Sequence, residues 1–452
     1  MNALSADSKI IGSVSKRVAA FVWAVRLTVG AVFVMSGLVK AIDLWGTVFK
    51  FEEYFAVWGW NMPLSLTVMG AMMLCSAEFI FGAMLFLGNY RRTVVWFLLL
   101  VMAIMLPLTL YIWLKDPVSD CGCFGDFIVM GNGVTFLKNL VITAALLWLV
   151  KFNKRVKGLF NPYSQWICGV ACLVYVTVIE LYGFNIQPMI DFRSFPIGTS
   201  LLEKPDDSAD DIEFVFTYEK DGVRKSFTVD SLPDSTWTFV DRETSGKEYV
   251  EPSRTELSVF DSDGENVTAD IISPSGPELL VVIPQHERAD LFYTSYINDL
   301  NGLMNAMGGS LVELTDQSAD SLGVLRDNSF AEFPVYSAEP TVLKELSRGM
   351  VSIVMLENGV IQWKRNLGSV DVESIIDSPN PTDALNELNA DGSKLLGRLS
   401  LLLAVFLMAL AVVDKLLTVL IGGRKKRNVE NNSLPLHNQT AQGPVDKIPT
   451  EK

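Results

Sequence analysis

The chain has 452 residues, half of them hydrophobic, and a net charge of −14 at pH 7. The charge is uneven, because residues 185–391 carry a net charge of −24 and the other residues carry +10. An acidic segment of this size repels nucleic acid and anionic lipid headgroups, so we expect neither as its partner. Five cysteines are few for a disulfide-rich fold, and two histidines outside the apolar segments argue against haem or copper in a membrane. We therefore expect no cofactor.

Six apolar segments are long enough to cross a membrane as helices, which takes about 20 residues each. The first follows Lys16 and Arg17, is too long for the core of a signal peptide and lacks a clear small-residue cleavage site. We therefore expect this segment to be retained as a helix. The predicted spans are residues 20–42, 63–87, 93–114, 134–150, 163–184 and 396–421.

Basic residues cluster in alternate connections of this helical membrane bundle, while the other short connections carry only Lys50 and Lys115. With six spans, all the clusters lie on one side, which the positive-inside rule assigns to the cytoplasm. Both termini would then be cytoplasmic in the inner membrane of a bacterium, and residues 185–395 would be periplasmic. The clusters are Lys16–Arg17, Arg91–Arg92, Lys151–Lys157 and Arg424–Arg427.

Charged residues inside the predicted spans are costly and mark functional or packing sites. Arg26 and Glu78 lie at similar depths in the first and second spans, and we expect them to form a buried structural pair. Lys40, Lys138 and Glu180 lie toward the outer ends of the first, fourth and fifth spans. They are candidates to support a site at that level, or else the two lysines extend to the lipid headgroups.

The connection between the third and fourth spans reads Asp120-Cys121-Gly122-Cys123-Phe124-Gly125-Asp126. Gly122 lets the chain turn between the two thiols, and a disulfide across one residue closes a strained ring that is easily reduced. The outer side of a bacterial membrane is oxidising, and a nearby lysine would favour the reactive thiolate. We therefore predict Cys121 and Cys123 as catalytic residues in thiol chemistry. Two alternatives stay open: a purely structural pair, and a metal site formed with Asp120 and Asp126.

Three sequence motifs carry a resemblance to a known family. They are Arg26-Leu27-x-x-Gly30 leading to Ser36-Gly37-x-x-Lys40, Glu78 with Gly82 and Leu87-Gly88, and Cys121-Gly122-Cys123-Phe124-Gly125. With these motifs, residues 20–150 resemble the DoxX-like membrane family, in particular its methylamine-utilisation E protein branch. Asp191-Phe192-Arg193 followed by Gly198 resembles a segment of longer members. The resemblance implies a four-helix bundle and a link to thiol–disulfide exchange beside a thioredoxin-like partner.

The segment after the fifth span is expected to be β-rich as far as residue 276. Glu213–Tyr218 and Ser226–Val229 flank the turn Asp221-Gly222, which is typical of a β-hairpin. Residues 277–382 alternate strands and helices in an order that resembles an α/β thioredoxin-like fold. Where that fold places its redox cysteines, this chain has Pro284-Gln285-His286-Glu287, and no cysteine follows residue 185. Such a domain can bind a polypeptide but cannot exchange disulfides itself.

These predictions define six regions and two hypotheses for function. In the first hypothesis, Cys121 and Cys123 exchange disulfides with a periplasmic thioredoxin-like or thiol-bearing protein that the outer domain recruits. In the second, the protein is a non-enzymatic membrane scaffold or assembly factor, so the residues leave open whether it is an enzyme. The regions are a four-helix membrane domain (1–150), a fifth span (151–184), a β-rich segment (185–276), a thioredoxin-like domain (277–382), a linker with the sixth span (383–427) and a disordered cytoplasmic tail (428–452).

Overall fold

The computed structural model of the protein describes residues 16–118, 121–202, 213–220, 223–228, 238–245, 256–272, 275–288 and 292–432. Within these ranges, six helices are long and apolar enough to cross a membrane, which confirms the six predicted spans. Their bounds are α1 Lys16–Ile42, α3 Leu64–Leu87, α4 Thr93–Lys115, α5 Asn132–Phe152, α6 Gln165–Asn185 and α13 Gly392–Asn432.

The connection between the first two spans contains a further helix, α2 (Leu44–Val57), which the sequence patterns did not predict. The carboxylate of Asp43 caps its first turn by accepting a hydrogen bond from the backbone N–H of Gly46 at 2.9 Å. Trp45 is buried, and its ring stacks on Phe184 of α6 with 5.2 Å between the centroids. This contact holds α2 against the end of the bundle where α1 and α6 meet.

Helices α1 and α3 form the closest pair in the bundle because glycines line their contact. A Cβ atom added to Gly30 would lie 2.8 Å from the backbone nitrogen of Phe86, and one added to Gly82 would lie 2.7 Å from that of Val34. Small residues permit this approach in membranes, where helices gain little hydrophobic driving force from one another. Both glycines belong to the motifs that carry the family resemblance, so those motifs set the spacing of the two helices.

The last span, α13, lies at the edge of the bundle. Only 6% of the apolar stretch of α13 is buried inside the protein, against 28–39% of the corresponding stretch in the other five spans. A polar contact fixes it to the chain before α6, where Asp414 accepts hydrogen bonds from Ser164 and from the backbone N–H of Asn161. The helix continues to Asn432, so the first five residues of the predicted disordered tail are helical. Residues 433–452 of that tail lie outside the described residues.

Three strands form a small antiparallel sheet: β1 (Glu213–Lys220), β2 (Val223–Thr228) and β3 (Thr238–Ser245), in the order β2-β1-β3. Thr217 is paired with Ser226 in the β1–β2 ladder. The two strands of the predicted hairpin are therefore confirmed, and its turn lies outside the described residues.

A second, mixed sheet of six strands follows, in the order β4-β7-β6-β5-β8-β9. The neighbours β5, β6 and β7 run parallel, whereas β8 and β9 form an antiparallel hairpin beside β5. The strands β5–β9 lie in the region predicted to alternate strands and helices, and β4 adds a strand before that region. The bounds are β4 Val259–Phe260, β5 Pro277–Ile283, β6 Ser310–Thr315, β7 Val335–Ala338, β8 Ser352–Glu357 and β9 Val360–Asn366.

Helices cover both faces of the mixed sheet. Alternate residues of its central strand point to opposite faces, so the strand contributes to a separate core on each side. Leu279 and Val281 of β5 pack in one core with α8 and α11, while Leu280 and Val282 pack in another core with α10. We call residues 256–388 the mixed-sheet domain. Its helices are α7 Thr268–Ile271, α8 Tyr293–Ala306, α9 Leu322–Ser329, α10 Pro340–Leu346, α11 Val372–Ile376 and α12 Pro381–Glu387.

Candidate functional site

The cysteine loop follows α4 and brings its two thiols together. The sulfur atoms of Cys121 and Cys123 lie 2.8 Å apart, and both cysteines are free and partly buried. The turn depends on Gly122, whose φ of +62° is accessible to glycine at little cost. A Cβ atom at this position would lie 2.9 Å from Cγ of Lys50 on α2. Asp120, the first residue of the predicted loop, lies outside the described residues.

Two side chains of the bundle hold the backbone of the loop. The hydroxyl of Tyr54 on α2 donates a hydrogen bond to the carbonyl oxygen of Cys121 at 2.7 Å. Ser36 Oγ on α1 lies 2.6 Å from the carbonyl oxygen of Cys123. Because both anchors are side chains of packed helices, the position of the thiols is set by the bundle. The sequence pattern missed Tyr54, whereas Ser36 belongs to the family motif.

A buried ion pair lies beneath Cys123 and corrects one sequence-based prediction. Lys40 Nζ lies 2.8 Å from Glu78 Oε2 and 3.1 Å from Ser36 Oγ, and both charged side chains are almost fully buried. The expected partner of Glu78 was Arg26, and that pairing is wrong. Lys40 does not extend to the headgroups either, because its ammonium turns inward to the carboxylate. The physical reason is depth: Glu78 lies level with Lys40, which is 14 residues or about 21 Å along α1 from Arg26, so the two residues predicted at similar depths lie at different levels of the bundle.

Arg26 has a structural role far from the thiols. Its guanidinium donates hydrogen bonds to the carbonyl oxygens of Asn153 at 2.7 Å and Val156 at 2.8 Å, where α5 ends. These carbonyls follow the last turn of a helix and lack partners within it. Arg26 precedes Lys40 by 14 residues, which is about 21 Å along α1. It is therefore not part of the site.

The other two predicted supporting residues differ in their relation to the loop. Lys138 Nζ lies 4.4 Å from the centroid of the Phe124 ring, so this lysine contacts the residue that follows Cys123. Glu180 instead accepts a hydrogen bond from Ser76 Oγ of α3 at 2.9 Å. The structure thus brings together Cys121, Cys123, Lys40, Glu78 and Lys138, and it leaves out Arg26 and Glu180.

The two thiols are electrostatically unequal. The hydrogen bond from Cys121 lowers the pKa of Cys123, and the positive charges of Lys138 and Lys40 lower it further against the effect of burial. The same hydrogen bond raises the pKa of Cys121, and burial adds to that rise. Cys123 is therefore the thiolate of the pair, and Cys121 holds the shared proton. A thiolate is both the better nucleophile and the better leaving group in disulfide exchange.

The mixed-sheet domain docks on the same end of the bundle through Arg348. The guanidinium of Arg348 donates hydrogen bonds to the Asp43 carboxylate at 2.8–3.0 Å and also to Asp126 of the cysteine loop. Burial would lower the pKa of Arg348, but the Asp43 and Asp126 carboxylates raise it above its usual value. In the same way Arg348 outweighs burial and lowers the pKa of Asp43. No sequence pattern pointed to this contact, because its partners are more than 200 residues apart.

Two further contacts join the domain to α2. Gln285 Nε2 donates a hydrogen bond to Glu52 Oε2 at 2.9 Å, and Lys344 Nζ lies 5.0 Å from the Phe49 ring centroid. Gln285 belongs to the segment that replaces the cysteines expected in a thioredoxin-like domain. That segment therefore faces the membrane bundle beside the cysteine loop.

The metal alternative stays a prediction, because Asp120, one of its proposed ligands, lies outside the described residues. The described residues contain no group of three or more histidine, cysteine, aspartate or glutamate side chains arranged to hold a metal ion. Asp126, one of the predicted ligands, is engaged by Arg348.

The fold and the site define a multi-pass membrane protein with six apolar helices and a mixed-sheet domain. Its N-terminal membrane region is MauE-like, because the family of the methylamine utilisation protein MauE matches residues 18–152. This match confirms the resemblance to that family for the membrane region, while the wider DoxX-like grouping stays a prediction. A family described as a domain of unknown function, DUF8463, matches residues 212–247. No curated protein and no solved structure matches the chain.

Proposed function

We propose that the protein takes part in thiol–disulfide exchange at a membrane surface, with Cys121 and Cys123 as the exchanging pair. The observation that carries this proposal is the contact of two thiols at 2.8 Å, one with a lowered pKa beside a buried lysine. In the oxidised form, a thiolate of a client protein attacks Cys121, and the disulfide between Cys121 and Cys123 breaks. Cys123 leaves as the thiolate, since the sulfur with the lower pKa leaves faster.

A second step completes the exchange. Another thiolate of the client attacks the client sulfur of the mixed disulfide, and Cys121 departs with a proton taken up from the surroundings. The client gains a disulfide and the loop gains two electrons. Lys138 and Lys40 stabilise the Cys123 thiolate. Glu78 and Ser36 hold the ammonium of Lys40 in place. Arg26 and Glu180 act only in maintaining the helical bundle.

The proposed setting is the inner membrane of a bacterium, with both termini in the cytoplasm and residues 185–395 in the periplasm. Alternating basic clusters support this orientation, and an oxidising compartment suits a disulfide that is exchanged. The proposed partner is a periplasmic thioredoxin-like or thiol-bearing protein. We assign recruitment of that partner to the mixed-sheet domain, read as a thioredoxin-like domain without cysteines.

Trapping the mixed disulfide tests the exchange. In the reverse direction, Cys121 of the reduced loop attacks the disulfide of an oxidised client, one client thiolate leaves, and Cys123 then resolves the mixed disulfide. In a Cys123→Ala variant this resolving thiol is absent, so an adduct between Cys121 and the oxidised client accumulates on non-reducing gels. The Cys121→Ala variant is the matched control and should not accumulate that adduct. Absence of any adduct on Cys121, with full function in a Cys121→Ala/Cys123→Ala variant, would contradict the proposal.

A non-enzymatic scaffold is the second candidate, supported by the buried contact of Arg348 with Asp43 between the domain and the bundle. A scaffold needs this docking but no thiols. The double cysteine variant discriminates the two candidates, because a scaffold keeps its function without Cys121 and Cys123. Loss of function in Arg348→Met, together with full function in the double cysteine variant, would favour the scaffold.

A further inference from the structure

A cavity of about 200 Å³ lies beside the cysteine loop, between α2, α3 and α4. Cys121 and Cys123 form one side of its wall. The rest of the wall is largely apolar and includes Phe51 and Phe55 of α2, Leu74 of α3 and Met105 of α4. The cavity therefore places the two thiols against a space that favours an apolar, aromatic ligand.

The cavity lies along the apolar spans α3 and α4. Leu74 follows the first residue of α3 by ten residues, which is about 15 Å along that helix. Ile104 of α4 also lines the cavity and is 63% exposed on the outside of the bundle, where lipid would contact it. A ligand dissolved in the bilayer can therefore reach the thiols from the side.

The proline in α4 helps to form this wall. Pro107 lies between the wall residues Met105 and Leu108. It has no N–H group to bond to the carbonyl oxygen of Ala103, so it interrupts the hydrogen-bond ladder of the helix at the cavity.

The size and chemistry of the space limit its occupant. A cavity of about 200 Å³ is small, which suits one substituted ring better than a folded peptide. The thiols beside it release two electrons when they form a disulfide, so a ligand in contact with them should accept two electrons.

We propose that this cavity binds the ring of a lipid-soluble quinone that reoxidises the Cys121–Cys123 pair. In the reaction the S–H bond of Cys121 breaks and an S–S bond forms between Cys121 and the Cys123 thiolate. Two electrons pass to the quinone, together with one proton from Cys121 and one from the surroundings, and the quinone leaves as the hydroquinone. The inference rests on the proposed exchange function, because it supplies the oxidant that returns the loop to its disulfide form after each client. The geometry that carries it is the juxtaposition of the two thiols, the apolar wall and the opening toward lipid.

Quinone-dependent oxidation of the full chain in lipid nanodiscs provides the test. The reduced protein is mixed with decylubiquinone, and loss of free thiol and loss of quinone absorbance are followed together. The wild type should oxidise with a one-to-one stoichiometry of disulfide to hydroquinone. Leu74→Trp fills the cavity and should slow this reaction at least tenfold. Met73→Trp is the matched control on α3, because Met73 is 67% exposed and does not line the cavity, and it should react within twofold of the wild type.

The outcomes separate this inference from the function on which it rests. If the wild type fails to reduce decylubiquinone but still forms the client adduct on Cys121, the quinone site is wrong and the exchange function stands. If neither reaction occurs, the exchange function itself fails. Equal rates for Leu74→Trp and wild type would also overturn the site, leaving a lipid chain as the occupant.

A second measurement covers the case in which Leu74→Trp does not insert into the membrane. The wild-type chain is labelled with a photoreactive azido-quinone, and the labelled peptides are mapped by mass spectrometry. Label on the wall segments of α2, α3 and α4, reduced by excess decylubiquinone, supports the site. Label confined to other helices contradicts it.

Discussion

The contact of Arg348 with Asp43 should dominate the stability of domain docking. Both side chains are buried, at 5% and 8% exposure, whereas Asp126 is 45% exposed. Removing one partner of a buried ion pair leaves an uncompensated charge and costs about 3–5 kcal/mol. An exposed pair contributes about 0–1 kcal/mol. Arg348→Met should therefore undock the domain locally, whereas Asp126→Asn should have little effect.

Hydrogen exchange of the full chain in nanodiscs measures this difference. A loss of 3–5 kcal/mol should speed exchange of the protected amides around β8 by about 100- to 4,000-fold, since 1.4 kcal/mol corresponds to a factor of ten. Asp126→Asn should speed it less than about fivefold. The protected amides of α3 serve as an internal control, because they belong to the bundle and should not change.

The double variant Arg348→Met/Asp43→Asn tests whether the unpaired Asp43 carboxylate causes the loss of docking stability in Arg348→Met. Asparagine retains the ability to cap α2, and without a buried carboxylate the penalty of the single variant should largely disappear. Exchange in the double variant should therefore be slower than in Arg348→Met alone. An Arg348→Met variant within threefold of the wild type, or a double variant as fast as the single one, would refute the assignment of docking to this ion pair.

Three further predictions follow from the site and the sheet. Lys138→Met should raise the pKa of Cys123, so the pH profile of its alkylation moves to higher pH. Gly122→Ala should cost about 1–2 kcal/mol, because alanine disfavours a φ of +62°, and should slow disulfide formation. Burial raises the pKa of Glu313 in β6 to about 7, so its neutral form is the one favoured in the fold. The stability of the domain should therefore fall by roughly 3 kcal/mol between pH 4.5 and 7, and Glu313→Gln should remove this fall.

Each of these predictions has its own control. Lys151→Met is the control for Lys138→Met, because Lys151 lies at the other end of α5 and is also near an aromatic ring. An equal shift of the alkylation profile in both variants would contradict the role of Lys138. Gly131→Ala changes a glycine with no atom near its Cβ position and should leave disulfide formation unchanged. For Glu313, exchange rates are corrected for intrinsic pH dependence. If the stability of the Glu313→Gln variant depends on pH in the same way as that of the wild type, the Glu313 carboxyl is not the cause of the fall in stability.

Much of the architecture was predictable because it depends on local composition. A helix must satisfy its backbone within itself in lipid, so a run of about 20 apolar residues identifies a span wherever it occurs. The strands after residue 277 were equally visible in their β-branched and apolar pattern, and the thiol pair was visible as two cysteines around one glycine. The match to the MauE family over residues 18–152 agrees with the motifs that predicted it.

The tertiary structure alone decided which side chains meet. Hydropathy placed Lys40, Arg26 and Glu78 by depth, but only the packing of α1 on α3 showed that Lys40 contacts Glu78. The contact of Arg348 with the bundle joins residues more than 200 positions apart, and no local pattern encodes it. The inequality of Cys121 and Cys123 has the same origin, because it depends on charges from three separate helices. Local sequence thus determined the elements and the position of the cysteine pair, and long-range packing determined the charges and hydrogen bonds that surround that pair.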